Sequence, residues 1–361
     1  MTIELWTLAV ALITAVTCSV CGVFLVAKRE ALVSEGLSHA VLPGIIVAFV
    51  LLRDRSSPLL ILSAAVMGLV MVLLVQGLRR TKLVDDDASL GIVFAALFSI
   101  GILLASLELR NVHFHAHCII DGNLALAPLD AWTVGATSLG PKSFYIMLSV
   151  LAVVSAFIWV YFKELKLMVF DPALAQSFRL RPGLLHASWL GLVSLTTVSA
   201  FETAGSILVV ALMITPPAAA YLLADTLGGM LRWSVLLSAL SAVGGFYLGF
   251  ALDIAPTGPM SALAGGIFLV VLVAAPSRGL LSRWRHRRVQ KTALFEHVVL
   301  RRVARGESNI GDLCAALAWT PAHLESVSAR LCQAGQLNKS GAALQLTDAG
   351  RVRLEHELVC P

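Results

Sequence analysis

The sequence predicts an all-α polytopic membrane protein of about eight to nine transmembrane helices, followed by a small α+β cytoplasmic domain at its C-terminus. Three observations carry that expectation. Of 361 residues, 58% are hydrophobic and only 14% charged, with a mean hydropathy of +0.86; a soluble domain does not have this balance, so the bilayer is the solvent for most of the chain. Apolar runs of about 17 to 25 residues recur, each long enough to cross a ~30 Å hydrocarbon core as a helix. Charge is unevenly placed: residues 1–282 hold 15 Lys/Arg against 15 Asp/Glu, and residues 283–361 hold 12 against 7, so the net charge of +5 lies in the last segment. The chain therefore divides into a membrane domain, 1–282, a basic juxtamembrane linker, 283–289, and a cytoplasmic domain, 290–361.

Nine candidate spans follow from the apolar runs: 5–27, 37–52, 58–78, 88–107, 143–162, 184–200, 204–224, 233–252 and 259–276. The first, Leu5 to Ala27, lacks a basic leader and a small-residue cleavage site, and its length predicts a retained span. Cytoplasmic loops keep Lys and Arg. Lys28 and Arg29, then Arg79, Arg80 and Lys82, then Lys163, Lys166, Arg179 and Arg181, then Arg232, then the Arg-rich stretch from Arg278 to Arg288 mark every second loop. The N-terminus is expected outside and the C-terminus inside, with Arg53 and Arg55 as the discordant pair. Cys18 and Cys21 fall inside an apolar run and Cys314, Cys332 and Cys360 in the tail, a spacing that predicts reduced packing residues and no disulfide framework.

Ionisable groups within apolar spans are costly and mark function. In Ser34-Glu-Gly-Leu-Ser-His-Ala-Val-Leu-Pro-Gly44, Glu35 and His39 are four residues apart and share one helical face. A carboxylate and an imidazole together suit manganese, iron or zinc. Pro43 has no N–H, so the carbonyl of His39 loses its helical donor and can face a cavity or an ion. The bland alternative is that both side chains sit at the interface and bond to neighbours. Glu202 and Thr215-Pro-Pro217 form a second polar, broken region, read as a gate or hinge or as a kink alone. His113, His115 and His117 alternate in the outer segment 108–142; in an extended strand they face one side, where they would capture a metal. That outer segment is expected to fold as a cap or gate. In the polar inner segment, 163–182, Asp171 is placed to cap a short helix with Pro172 in its first turn, of the sort that docks a soluble partner.

These motifs, with Ala88-Ser-Leu-Gly-Ile-Val-Phe94, His117-Cys-Ile-Ile-Asp-Gly-Asn123, Asp171-Pro-Ala-Leu-Ala175 and Gly205-Ser-Ile-Leu-Val-Val-Ala-Leu-Met-Ile-Thr-Pro-Pro-Ala-Ala-Ala220, resemble the manganese, zinc and iron permeases of bacterial ABC transporters over about residues 5 to 276. The resemblance implies a type II importer permease fold and two permease subunits, identical or paralogous, around one pathway. It also implies a separate ABC ATPase subunit and an extracytoplasmic metal-binding protein that delivers the ion. Glu35 and His39 would match the family's intramembrane metal contacts, with Glu35 where many members carry Asp. Asp171, Pro172, Leu174 and Ala175 would belong to the helix that couples to the ATPase, and Pro43, Glu202, Pro216 and Pro217 to gate or hinge positions. No Walker-type Gly-rich Lys-Ser/Thr motif occurs, so the chain is expected to be no enzyme. It would hold no permanent cofactor, only the manganese, zinc or iron ion in transit.

In the tail, Phe295, Val298, Val299 and Val303 trace one helical stripe, and Ile310, Leu313, Cys314 and Leu317 a second. Thr320-Pro321 starts a third helix with Leu324, Val327 and Leu331 inward, and strands around Leu337 and Leu344 to Leu346 form a hairpin before a helix from Asp348. That order reads as a winged helix-turn-helix, and Leu346-Thr-Asp-Ala-Gly350 is similar to the wing exit of iron-dependent repressors. His323, Ser326, Ser328, Arg330 and Lys339 are the residues it offers to DNA, a thin supply that favours a regulatory or protein-contact module over a nucleic-acid binder. The rival functional readings are a membrane-anchored metal-responsive transcription regulator acting through this tail, and a proton-driven secondary metal transporter.

Overall fold

A computed structural model describes residues 3–52, 58–108, 124, 126–127, 131–134, 137–171, 174, 182–276, 278–317, 319–340 and 343–357. They form two compact units, 1–276 and 277–361. In the first, α1 (Ile3–Ala27) leads through a tight turn into α2 (Leu32–Ala40) and α3 (Leu42–Leu52), followed by α4 (Pro58–Arg80) and α5 (Asp86–Glu108). A hairpin of β1 (Ala131–Val134) and β2 (Thr137–Pro141) precedes α6 (Lys142–Phe170), α7 (Pro182–Ala204), α8 (Ser206–Leu223), α9 (Leu227–Leu252) and α10 (Thr257–Ala274). Among the described residues, nine segments of this unit are long and apolar enough to span a membrane, α2 and α3 together counting as one.

The first predicted span is the structural centre. In α1, Val10, Ala15, Cys18, Cys21 and Val23 are wholly buried, and the helix packs against α8, α9, α6 and α7. Because it is apolar on every side, it can be enclosed on every side. One set of contacts joins α1 to α8 and α9, on which α10 packs; another joins α2, α3, α4, α5 and α7, and α7 touches both. Close approach of α1 to α8 depends on Gly22, where a Cβ would run into the Met213 carbonyl and the Pro217 ring. Pro217 cannot donate to that carbonyl. Pro216 and Pro217 are both buried within one uninterrupted helix, where they withhold two donors from the ladder.

Two expectations need correction. The inner segment does not begin at Lys163: α6 continues to Phe170, with a non-helical turn at Tyr161 (φ −104°, ψ 21°). Leu165 and Met168 are buried, so the second half of α6 is held by packing that outweighs its lysines. The second span begins at Leu32 and not at residue 37, which brings Glu35 into the helix. The described part of the outer segment includes the β1–β2 hairpin, whose Gly140, at φ 116°, packs on the Trp6 ring.

The second unit contains α11 (Leu280–Ala304), α12 (Ile310–Leu317), α13 (Pro321–Gln333), the antiparallel hairpin β3 (Leu337–Ser340) and β4 (Ala343–Leu346), and α14 (Asp348–Glu357). The basic stretch 283–289 is part of α11. Val299, Leu300, Leu313, Leu324, Val327, Leu331, Leu337 and Leu344 make a core separate from that of the membrane unit, with Phe295, Ile310, Cys314 and Leu317 packed around it. Thr347 donates its hydroxyl to the Gly335 carbonyl at 2.7 Å and fixes the exit of β4. Ser328 is buried and bonds back to the Glu325 carbonyl, so it is not available at the surface of α13 as the sequence reading had it.

Candidate functional site

The α2 helix has nine residues and is joined to α3 at Leu42 through the single turn residue Val41, which keeps helical dihedrals (φ −76°, ψ −17°). The turn has a local cause. Val41 N–H still reaches the Leu37 carbonyl at 3.3 Å and Ile45 N–H the Val41 carbonyl at 3.2 Å, but Pro43 offers the His39 carbonyl no donor. One face of α2 is locked in place: Val33, Ser34, Leu37 and Ala40 are buried, and a Cβ at Gly36 would meet the Met71 side chain. Glu35 and His39 lie on the other face and are both exposed on the single chain. The His39 ring is flanked by α5, stacked on Phe94 at 6.0 Å and edge-on to Phe98 at 5.3 Å between centroids. The two side chains thus share one helical face as the spacing predicts. Among the described residues no group of three or more His, Cys, Asp or Glu side chains is placed to hold a metal ion.

Other sequence candidates are distributed elsewhere. Glu202 is exposed near the end of α7, three residues before Gly205 takes φ 79° ahead of α8. Asp171 ends α6, and its Oδ1 accepts the backbone N–H of Leu174 at 2.9 Å, the capping bond expected of it. Leu174 is exposed. Pro172 and Ala175 lie outside the described residues, as do His113, His115, His117, Arg53 and Arg55.

An ionic cluster was not foreseen. Arg29, at φ 63°, turns the chain between α1 and α2, and Glu30 N–H bonds the Leu25 carbonyl at 2.8 Å. Glu30 Oε1 then lies 3.4 Å from Lys28 Nζ, 3.3 Å from Arg79 Nη1 and 3.4 Å from His186 Nε2. Lys28 Nζ is also 2.8 Å from His186 Nδ1. The Glu30 and His186 side chains are each 11% exposed. Burial pushes the Glu30 carboxyl upward. The hydrogen bond from His186 and the charges of His186, Lys28 and Arg79 outweigh it together and bring the pKa down to about 2. Burial lowers the Lys28 ammonium, with Glu30 opposing. Lys28 and Arg79 read in the sequence only as orientation signals; a lone acid amid basic residues at the first inner turn was the available clue.

The sign of the linkage sets an expected result. A depressed carboxylate pKa contributes stability that is whole above the ordinary value of 4.5 and is lost as pH falls toward about 2. Thermal unfolding of the detergent-solubilised protein should therefore show no contribution from Glu30 to pH dependence between pH 7 and about 5, and a falling midpoint below that. Glu30→Gln should flatten the acid limb.

Among the described residues, nine segments long and apolar enough to span a membrane, one of them carrying an acid and an imidazole, define a polytopic membrane protein. The profile of the ABC 3 transport family matches residues 2–275. The chain belongs to the ABC 3 transport family. It is 37% identical over 283 residues to the manganese transport system membrane protein MntD of Bacillus subtilis, covering 78% of this chain and 96% of that protein. It is 35% identical over 352 residues to the zinc transport system membrane protein TroD of Treponema pallidum, covering 94% of this chain and 95% of that one, a match that takes in most of the second unit. The structure is similar to a chain of PsaBC from Streptococcus pneumoniae in complex with Fab, with a TM-score of 0.62, 26% identity, and coverage of 75% of this chain and 91% of that chain. The protein is a multi-pass permease subunit of an ABC transporter; it is not an enzyme, and ATP hydrolysis resides in a separate subunit.

Proposed function

We propose that Glu35 and His39 are the transit ligands for a manganese, zinc or iron ion, and that each permease subunit supplies half of the site. The observation that carries this reading is a carboxylate and an imidazole exposed on one face of a short helix within an otherwise apolar span, ahead of the turn at Val41. An ionisable pair left facing lipid would be costly, so the pair faces a pathway. Two ligands fall short of the four or more that such an ion takes. A second permease copy, or a paralogue, provides the rest across the pathway. The cargo comes from an extracytoplasmic metal-binding protein, and alternating access carries it inward. The Asp171, Pro172, Leu174 and Ala175 segment docks the ATPase, and Pro43, Glu202, Pro216 and Pro217 serve the gates.

ATP-dependent uptake by the reconstituted complex, measured with manganese, zinc and iron in turn, tests this function. Uptake by this chain without an ATPase would favour a secondary transporter instead. The docking role gives a separate expected result: Asp171→Ala removes a cap worth about 0.5–2 kcal/mol to its helix, so co-purification of the ATPase with the permease should fall while metal binding by the permease is retained.

The C-terminal unit is read as a winged-helix module on the cytoplasmic side, serving protein contact or regulation. Its third helix presents Glu325 beside Ser326 and Arg330, and its hairpin presents Lys339; this is little positive charge for a phosphate backbone. No sequence-specific DNA binding by the full-length protein is expected in gel-shift experiments at physiological salt, and specific binding would favour the regulator reading.

A further inference from the structure

The cluster around Glu30 joins four elements at one end of the membrane unit: the end of α1 through Lys28, the turn entering α2, the last turn of α4 through Arg79, and the second turn of α7 through His186. Its place in the chain is what gives it a role. Glu30 lies five residues before Glu35, and its carbonyl accepts the Val33 N–H at 3.0 Å, so it is fixed to the first turn of α2. The α2 helix is packed against its neighbours through Val33, Leu37 and Ala40, so it moves with the elements that hold it. His186 stands near the start of α7, which follows directly on the segment that begins at Asp171. A displacement of α7 would therefore pass through His186 to Glu30, and from Glu30 to the helix bearing Glu35 and His39.

We propose that Glu30 is a positioning residue for transport, tying α2 to the ends of α1, α4 and α7 so that movement of α7 reaches Glu35 and His39. This rests on the reading of those two side chains as transit ligands and of the Asp171 segment as the ATPase contact. An anion is required at this point because three basic side chains converge on one carboxylate oxygen; the neutral amide of Gln can accept from one or two of them but does not hold them together. The cluster also draws together the two packing groups of the bundle, α1 from one and α2 and α4 from the other, with α7 touching both.

The test uses the permease–ATPase complex in liposomes, with ATP hydrolysis and manganese uptake read in the same vesicles. Glu30→Gln should keep ATP hydrolysis near the wild-type rate and keep equilibrium manganese binding, while the number of ions moved per ATP falls about tenfold, within the usual range for coupling between sites. Glu30→Asp, which keeps the charge, should recover most of that ratio. A wild-type ratio in Glu30→Gln overturns the proposal, as does loss of manganese binding, which would make Glu30 part of the site and not a link to it. If Glu30→Gln does not assemble, His186→Gln carries the same measurement, with the same fall expected and an unchanged ratio equally decisive against it. The two readings fail separately: persistent uptake in a Glu35→Ala, His39→Ala double variant removes the transit site, whereas a normal ratio in Glu30→Gln with that double variant inactive removes only the link.

Discussion

Replacing Glu35 and His39 together by alanine should abolish metal accumulation by the assembled importer while leaving the permease folded and bound to its ATPase. Both side chains are exposed on the single chain and α2 is anchored through its opposite face, by Val33, Leu37 and Ala40, so their removal leaves no buried cavity. Alanine also has the highest helix propensity, so α2 should persist. What the proposed transit site would lose is ligation. Outer-shell substitutions at metal sites cost about 10–100-fold in affinity or activity, and losing both ligands from each subunit should exceed that range. Loss of the His39 ring also removes its contacts with Phe94 and Phe98, so His39→Phe is the informative single variant. It keeps an aromatic beside α5 and should still fail to accumulate metal.

Gly22→Val is expected to have the largest effect on stability. The Gly22 backbone rests against the Met213 carbonyl, and the obstacle to a side chain is main chain and a proline ring, neither of which can rotate aside. Forcing atoms into a packed core costs about 1–3 kcal/mol, more where a backbone must move. That corresponds to a fall of about 5 °C or more in the unfolding midpoint for a unit of this size. Because α1 packs on α6, α7, α8 and α9, the strain is not confined to one contact and expression should drop in parallel. Gly77→Val, at a position open enough that a Cβ meets nothing, is the matched control and should leave the midpoint unchanged.

The membrane unit was legible because hydropathy in a bilayer is a strong and local signal. Each of the nine predicted spans corresponds to one in the structure, with ends displaced where interfacial residues continue the helix, as Lys163 and Lys166 do in α6. The stripes of Val299, Leu313, Leu324 and Leu331 likewise foretold the core of the second unit. The Glu35–His39 face was legible from spacing, and the turn after it from Pro43. The Glu30 cluster was not, because its members come from three separated stretches of sequence and each basic one already had an explanation in topology. Nor could spacing reveal that Ser328 turns inward, since serine is at home on either face of an amphipathic helix.

In the proposed mechanism a cation in transit is held by Glu35 and His39. The most direct measurement is anomalous X-ray scattering at the manganese edge from crystals of the manganese-loaded importer complex. A peak is expected about 2.0–2.3 Å from a Glu35 carboxylate oxygen and a His39 ring nitrogen, between two permease subunits. A metal peak remote from both residues, or both side chains turned to lipid, would contradict it.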